Sequence, residues 1–481
     1  MLTTLAAPAF AKTWYIEDGD ITVKASDTGN DVTQKDKTTY GDKDTIITNR
    51  KEDASSNTVT IEAEKKDDKV EVTLKDVNID TSSRNKAAVS VTGSGNTTIK
   101  LDGDNHLTGG NGIYSNSSGS LTISGGENDS LTAQGGDSRN GIYSVSGDVT
   151  ISGGTVTATG GNSTGSYGSG GDGSHGGSGI SSSSGVTVSD GTVTANGGNG
   201  GNVSGDGIRS DGGVTISGGT VKAAGGDSKD GYGGDGIRSG GGVTISGNTV
   251  NAAGGNGGKV GGYGICSFDR VAISGGTVNA AGGNSSYGGG DGIRSSVIDL
   301  SGSLELTAKA GSPNGKALSQ RGNELDLNTI KDKLGPGAKV TATDADGKVI
   351  DQVPIPRPVE PEGPVIPEES SSSSDGGSAA PSAPASPLPG LTVTDTDGQR
   401  ISYTSTQSGN TLTVCVGRLT ASFRISLAAL RQLRAEGIET ITFQTILCST
   451  TLSLDELLAM GGEDAEAVLT HRFTDSSLTV G

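Results

Sequence analysis

The chain reads as an all-β protein: a right-handed parallel β-helix of about 28-residue coils, then a Pro/Ser-rich linker and a small α/β domain. Three observations predict this. The tetrapeptide Gly-Ile-x-Ser begins at Gly112, Gly141, Gly179, Gly207, Gly236, Gly264 and Gly292, at intervals of 29, 38, 28, 29, 28 and 28 residues. A fixed period of this length marks a stack of supersecondary units rather than a single globule. Each unit also keeps its parts in order, as GDGIRSDGGVTISGGTVKAAGG (205–226) and GDGIRSGGGVTISGNTVNAAGG (234–255) show. Finally, 59 of the 83 glycines lie between residues 109 and 292, while only 3% of residues are aromatic and 30% hydrophobic. That composition is too poor to fill an ordinary 481-residue core, but it suffices for a thin column shared between coils.

The elements follow in order. The letters of GIRS, VTIS and TVKA alternate with period two, the signature of a strand with one buried face. Runs this short cannot bury a core alone, so three per coil must stack on their neighbours with glycine at the corners. Crossover handedness makes the helix right-handed. Stacking sets equivalent residues about 4.8 Å apart. It predicts an inward ladder from Ile113 to Ile293 and a second ladder, Ser115 to Ser295, hydrogen-bonded along the stack. The position between them points outward and reads Tyr114, Tyr143, Ser181, Arg209, Arg238, Cys266 and Arg294. There the repeat stops repeating.

The boundaries are set by composition. Residues 58–324 form the β-helix, 12–57 an N-terminal cap, and 325–351 a C-terminal cap with a short helix and a hairpin. Caps are required because an uncovered coil exposes unpaired strand edges. Ten of the 13 prolines lie between Pro354 and Pro389, which makes 352–390 an extended acidic linker. In 391–481, LTVTDTDGQRISYT, NTLTVCV and IETITFQTIL read as strands, while SLAALRQLRAEGI and LSLDELLAM read as helices. Ala9-Phe10-Ala11 resembles a signal-peptide cleavage site, so residues 1–11 are expected to be the remnant of one. Cys415 and Cys448 are placed to pair within the last domain, which leaves Cys266 as a lone outward thiol.

The formal charge of −19 argues against nucleic acid and anionic membrane as partners. No apolar run is long enough to span a bilayer, and a single chain is the expected unit. Asp206, Asp235 and Asp291 each precede a GIRS; Asn111, Asn140, Ser178 and Tyr263 hold that place elsewhere. Oxygen ligands repeated beside Gly-rich loops suit calcium. Asp and Asn also suit turns for their own sake, and both readings stand at this point. Tyr114 and Tyr143 can lie under sugar rings, and Arg209, Arg238 and Arg294 can fork onto carboxylates. Arginines in neighbouring coils repel, unless an anion or the nearby aspartates compensate. Two sharper readings fail. The outward threonine column of an ice-binding array is broken at Ala272, and His106, His175 and His471 have neither triad nor zinc spacing.

The repeated GDGIRS…GGVTISGGTV resembles the pectate-lyase-like carbohydrate-binding β-helix family of secreted clostridial proteins. The opening TWYIEDGDITVKASDTGNDVTQ is similar to the start of surface proteins from gut Firmicutes that carry such repeats. The resemblance covers about residues 12–350. It implies a protein secreted from, or displayed on, a Gram-positive cell that binds plant or acidic polysaccharide, with calcium held by Asp206, Asp235 and Asp291. Two function classes are therefore expected: a non-catalytic glycan-binding module, or a rigid adhesin or spacer stalk with no glycan ligand. A polysaccharide lyase, with Arg209 as base beside Asp206 and Asp235, fits less well, because that trio recurs where a catalytic site should be unique.

Overall fold

The computed structural model describes residues 12–163, 175–354, 390–394, 400–401, 403–408, 410–416, 421–445, 449–460, 465–471 and 476–480. The signal-like residues 1–11, most of the linker, Cys448 and Asp395–Gly398 lie outside them. The chain divides into two units, residues 1–363 and 364–481. No helix among the described residues is long and apolar enough to cross a membrane.

The first unit is a parallel β-solenoid. The Ile-x-Ser strands pair in parallel and in register from coil to coil: Ile142 faces Ile180, then Ile208, Ile237, Ile265 and Ile293. These isoleucines are fully buried, and each contributes about 1.5–3 kcal/mol by leaving water. The other two strand types, such as Val214–Ile216 and Thr220–Ala224, stack into a second sheet. Their inward Val, Ile and Ala form the rest of the column. In two coils these strands run on as one, Val149–Thr159 and Val186–Asn196.

The serine ladder is buried as expected, but its hydrogen bonds are not. Ser210 Oγ donates 2.6 Å to the Ser184 carbonyl, and Ser239 Oγ lies 2.7 Å from the Gly212 carbonyl and 3.0 Å from that of Gly242. Ser210 and Ser239 thus tie their coils to the corner of the preceding one rather than to the next serine, while Ser144 Oγ bonds the Gly147 carbonyl of its own coil at 2.6 Å. These corner carbonyls already accept a backbone N–H along the stack, Ser184 from Gly212 at 2.8 Å and Gly212 from Gly241 at 2.7 Å, and the serine hydroxyl takes the second lone pair. The corners also explain the glycines. A Cβ on Gly262 would stand 1.8 Å from the Gly234 carbonyl oxygen, and one on Gly234 would stand 1.9 Å from that of Gly205. No side chain fits there.

Both ends differ in detail from the sequence expectation. The segment 12–57 is not merely a cap. Lys12–Tyr15 pairs in parallel with Thr45–Thr48, and Ile21 stands in register with Val59, so the coil pattern starts earlier than residue 58. Two antiparallel strands, Gly29–Gln34 and Lys37–Asp42, extend that edge. Trp14, the only tryptophan, is buried at this end, with its Nε1–H on Asp42 Oδ2 at 2.9 Å. At the other end, a 3-10 helix, Leu327–Lys333, buries Leu327 and Ile330. The hairpin of Lys339–Thr343 and Val349–Pro354 pairs onto Leu304–Lys309.

The described residues of the second unit form two four-stranded sheets and the helices Leu427–Ala435 and Leu454–Ala459, capped by Ser426 and Ser453. Phe423 and Phe443 fill its core, with ring centroids 4.8 Å apart. Of the two cysteines expected to pair, Cys448 lies outside the described residues, and Cys415 is a free thiol that donates to Gln444 Oε1 at 3.4 Å.

Candidate functional site

The position before each Gly-Ile-x-Ser is a ladder of acceptors. Asn111 Oδ1 accepts the Asn140 N–H at 3.0 Å, and Asn140 Oδ1 accepts that of Ser178 at 2.7 Å. Asp206 Oδ1 accepts the Asp235 N–H and Asp235 Oδ1 that of Tyr263, both at 2.7 Å; Asp291 Oδ1 accepts that of Lys316 at 2.8 Å. A second ladder runs through Asn162, Asn199, Asp227, Asn256 and Asn284 by the same bond. The turn reading therefore has a specific content. These side chains stitch one coil's corner to the next.

Calcium is poorly served by this donor set. The three aspartates are buried, each has one oxygen committed to a backbone N–H, and Asp235 Oδ2 accepts from Arg238 at 3.0 Å. Calcium asks for six to eight accessible oxygens. Among the described residues, no group of three or more His, Cys, Asp or Glu is placed to hold a metal ion.

An acceptor is all the ladder needs, and asparagine supplies it without charge. The choice of aspartate follows the outward residue three positions on. Asn111 and Asn140 accompany Tyr114 and Tyr143, whereas Asp206, Asp235 and Asp291 accompany Arg209, Arg238 and Arg294. Arg238 Nη1 lies 3.0 Å from Asp235, and Arg294 Nη1 lies 3.8 Å from Asp291. Arg209 leans instead toward Asp211, at 3.8 Å. The aspartates thus answer the repulsion expected between neighbouring arginines, but at an electrostatic cost. Burial, reinforced by the Asp235 carboxylate, pushes Asp206 up to about 7. Burial also raises Asp235, against the pull of the Tyr263 N–H and Arg238.

The arginine coils open into a groove of 750 Å³. Its floor is the outward column Arg209, Arg238, Cys266 and Arg294, in register from strand to strand. One wall is Val203, Tyr232 and Val260, linked coil to coil by single bridges. Phe268, Ser296 and Arg321 also line the groove. Phe268 is 61% exposed, with the Arg238 guanidinium 5.2 Å from its ring centre. The Arg294 guanidinium sits 4.9 Å from the centre of the Tyr263 ring. Cys266, expected to be an outward thiol, is only 4% exposed, and burial and the Asp235 charge push it up to about 12.

Tyr114 and Tyr143 are not part of this groove. Their rings pack on each other at 5.8 Å, and Tyr114 lines a second hollow of 470 Å³ with Lys86 and Arg139. The two sites share one face and lie about 14 Å apart, three strand spacings. Sequence reading missed Tyr232, Tyr263, Phe268 and Arg321. A signal was present: the place after Gly-Ile-x-Ser reads Asp211, Gly240, Phe268 and Ser296, and an aromatic there fits no corner role. No family model, curated protein or solved structure matches the chain.

Proposed function

We propose that the solenoid is a non-catalytic carbohydrate-binding module of a secreted or surface-displayed protein, which takes an acidic polysaccharide in the arginine-lined groove. The observation that carries this reading is the coupling of the two columns. A coil with asparagine in the ladder and tyrosine outside folds equally well, so nothing structural requires the buried aspartates. They accompany arginines whose guanidiniums face a groove with exposed aromatic rings, the combination that grips a sugar face and its charged substituent. An isolated buried carboxylate is unfavourable. Its retention beside arginine, and its absence beside tyrosine, indicates that the arginine is the residue the coil is built to present.

A lyase reading gains little. The Asp and Arg it needs recur in the coils of Arg209, Arg238 and Arg294, where a catalytic base should be unique. A spacer role is favoured by one feature, the proline-rich segment between the solenoid and the last domain. Retention of the full chain on immobilised polygalacturonate and on cellulose separates the readings. The module reading predicts retention on polygalacturonate that persists in chelator and falls at least tenfold in Arg209→Ala/Arg238→Ala. A folded protein that passes through both columns is a stalk.

A further inference from the structure

One coil of the groove departs from the array at three places together. Where its neighbours carry Asp, Arg and a corner residue, the coil from Gly262 to Phe268 carries Tyr263, Cys266 and Phe268. In register, Cys266 lies between Arg238 and Arg294. Two strand spacings put those arginines about 10 Å apart at the backbone. An arginine in the middle would fill this interval and repel both neighbours. The short cysteine does not fill it, and Arg238, Cys266 and Arg294 line the cavity there.

The side chains around the interval are already oriented. Arg238 is held by Asp235 through Nη1, and Arg294 is held by the Tyr263 hydroxyl through Nη1 at 2.5 Å, so each guanidinium is fixed on one side and keeps N–H donors on the other. Phe268 and Tyr263 supply apolar faces beside these donors. Deepening the glycan reading above, and resting on it, we propose that the Cys266 coil is a specificity subsite for one anionic sugar unit, its carboxylate or sulfate ester held between Arg238 and Arg294 and its ring face on Phe268.

The repeat itself supplies the test. Tyr263→Asp/Cys266→Arg gives this coil the letters of its neighbours and adds an arginine to the groove. If the groove were only a positive surface, that variant would bind anions more tightly. A subsite built on the gap predicts the reverse. Titration calorimetry of the full chain with trigalacturonate, a sulfated disaccharide and cellotriose reads the difference. The wild-type chain is expected to bind at least one acidic probe and to bind cellotriose at least tenfold more weakly. Whichever acidic probe binds identifies carboxylate or sulfate as the group held. The Tyr263→Asp/Cys266→Arg variant, folded by circular dichroism, is expected to lose at least tenfold in affinity for that probe. Should it fail to fold, Phe268→Gly, with the residue found at Gly240 one coil earlier, is expected to lose about fivefold. Equal or tighter acidic binding by the filled coil, or no loss in Phe268→Gly, overturns the subsite while leaving the glycan groove intact. Equal affinity of the wild-type chain for cellotriose does the same. If none of the three sugars binds and the chain also passes through polygalacturonate, the groove reading itself falls.

Discussion

The coils around Tyr114 and Tyr143 and those around Arg209, Arg238 and Arg294 are built from the same inward letters. In both, isoleucine and serine are buried, glycines turn the corners, and a polar side chain before the glycine accepts the next coil's N–H. They differ in one coupled pair, Asn with Tyr against Asp with Arg. The difference teaches what each column is for. A position that must only accept a hydrogen bond takes Asn, Ser or Asp indifferently, whereas a position that faces solvent changes by region, and its charged version brings a carboxylate into a buried corner. The larger groove is lined by the coils from Arg209 to Arg294 and not by Tyr114 or Tyr143.

At the inward column the two regions should be indistinguishable, and the largest effects are expected there. Ile142→Ala and Ile237→Ala each remove a fully buried side chain and are expected to destabilise the solenoid by about 2–5 kcal/mol, to a similar extent. Urea unfolding of the two variants checks this; a much smaller effect in one region would mean that the coils are not equivalent inside.

The corner pair separates the regions. Arg238→Ala leaves the Asp235 carboxylate buried with its partner gone and is expected to destabilise by about 1–3 kcal/mol. Adding Asp235→Asn should recover most of that loss, because the amide still accepts the Tyr263 N–H. A double-mutant cycle measures the coupling; strict additivity of the two changes would contradict it.

The pH dependence has a definite sign. Asp206 has its folded value raised to about 7, above the ordinary unfolded value near 3.9. The folded state therefore holds a proton that the unfolded chain has lost, and the solenoid loses stability as pH rises from about 4 through about 7. Asp206→Asn should remove this slope and stabilise the protein at pH 9 by about 1–3 kcal/mol. If instead it destabilises at pH 9, the carboxylate is doing something an amide cannot.

The smallest expected effect lies in the second unit and runs the other way. His471 is buried, its Nε2 2.9 Å from Thr450 Oγ1 and its Nδ1 without a partner, and burial lowers its pKa. The unfolded chain takes up a proton near pH 6.5 that the folded domain refuses, so this domain loses stability below that pH, by at most about 1.4 kcal/mol per unit. Hydrogen exchange at pH 7 and pH 5 would show faster opening of the His471 strand at pH 5; unchanged rates would mean that the imidazole is charged in the fold.

Much of this architecture was legible in the letters. A strict period with matching inward residues predicts stacking, because each Ile must lie on the next, and Ile208, Ile237 and Ile265 do so. The first coils were harder to read, since Thr22, Thr60 and Ser90 hold the outward place without the Gly-Ile-x-Ser signature, and only pairing in register reveals them. The serine bonds escaped because their acceptors are backbone carbonyls, which sequence does not display. The site was half legible. Arg209, Arg238 and Arg294 stand out as a variable column, but Tyr232 and Phe268 come from other turns of each coil and join them only through the stack. Cys266 looked outward by position, yet its larger neighbours leave it almost no exposure, a matter of side-chain size rather than period.

The central claim is that the ladder needs only an acceptor, so that each Asp–Arg pair can be exchanged for the Asn–Tyr pair of the earlier coils without loss of fold. The direct test writes the Tyr114 and Tyr143 coils onto the arginine region, as Asp206→Asn/Arg209→Tyr/Asp235→Asn/Arg238→Tyr, and measures melting and retention on polygalacturonate together. The expected variant is a folded solenoid that melts no lower than wild type above pH 7 and loses at least tenfold in retention. A variant that unfolds, or one that folds and is retained as before, would contradict the claim.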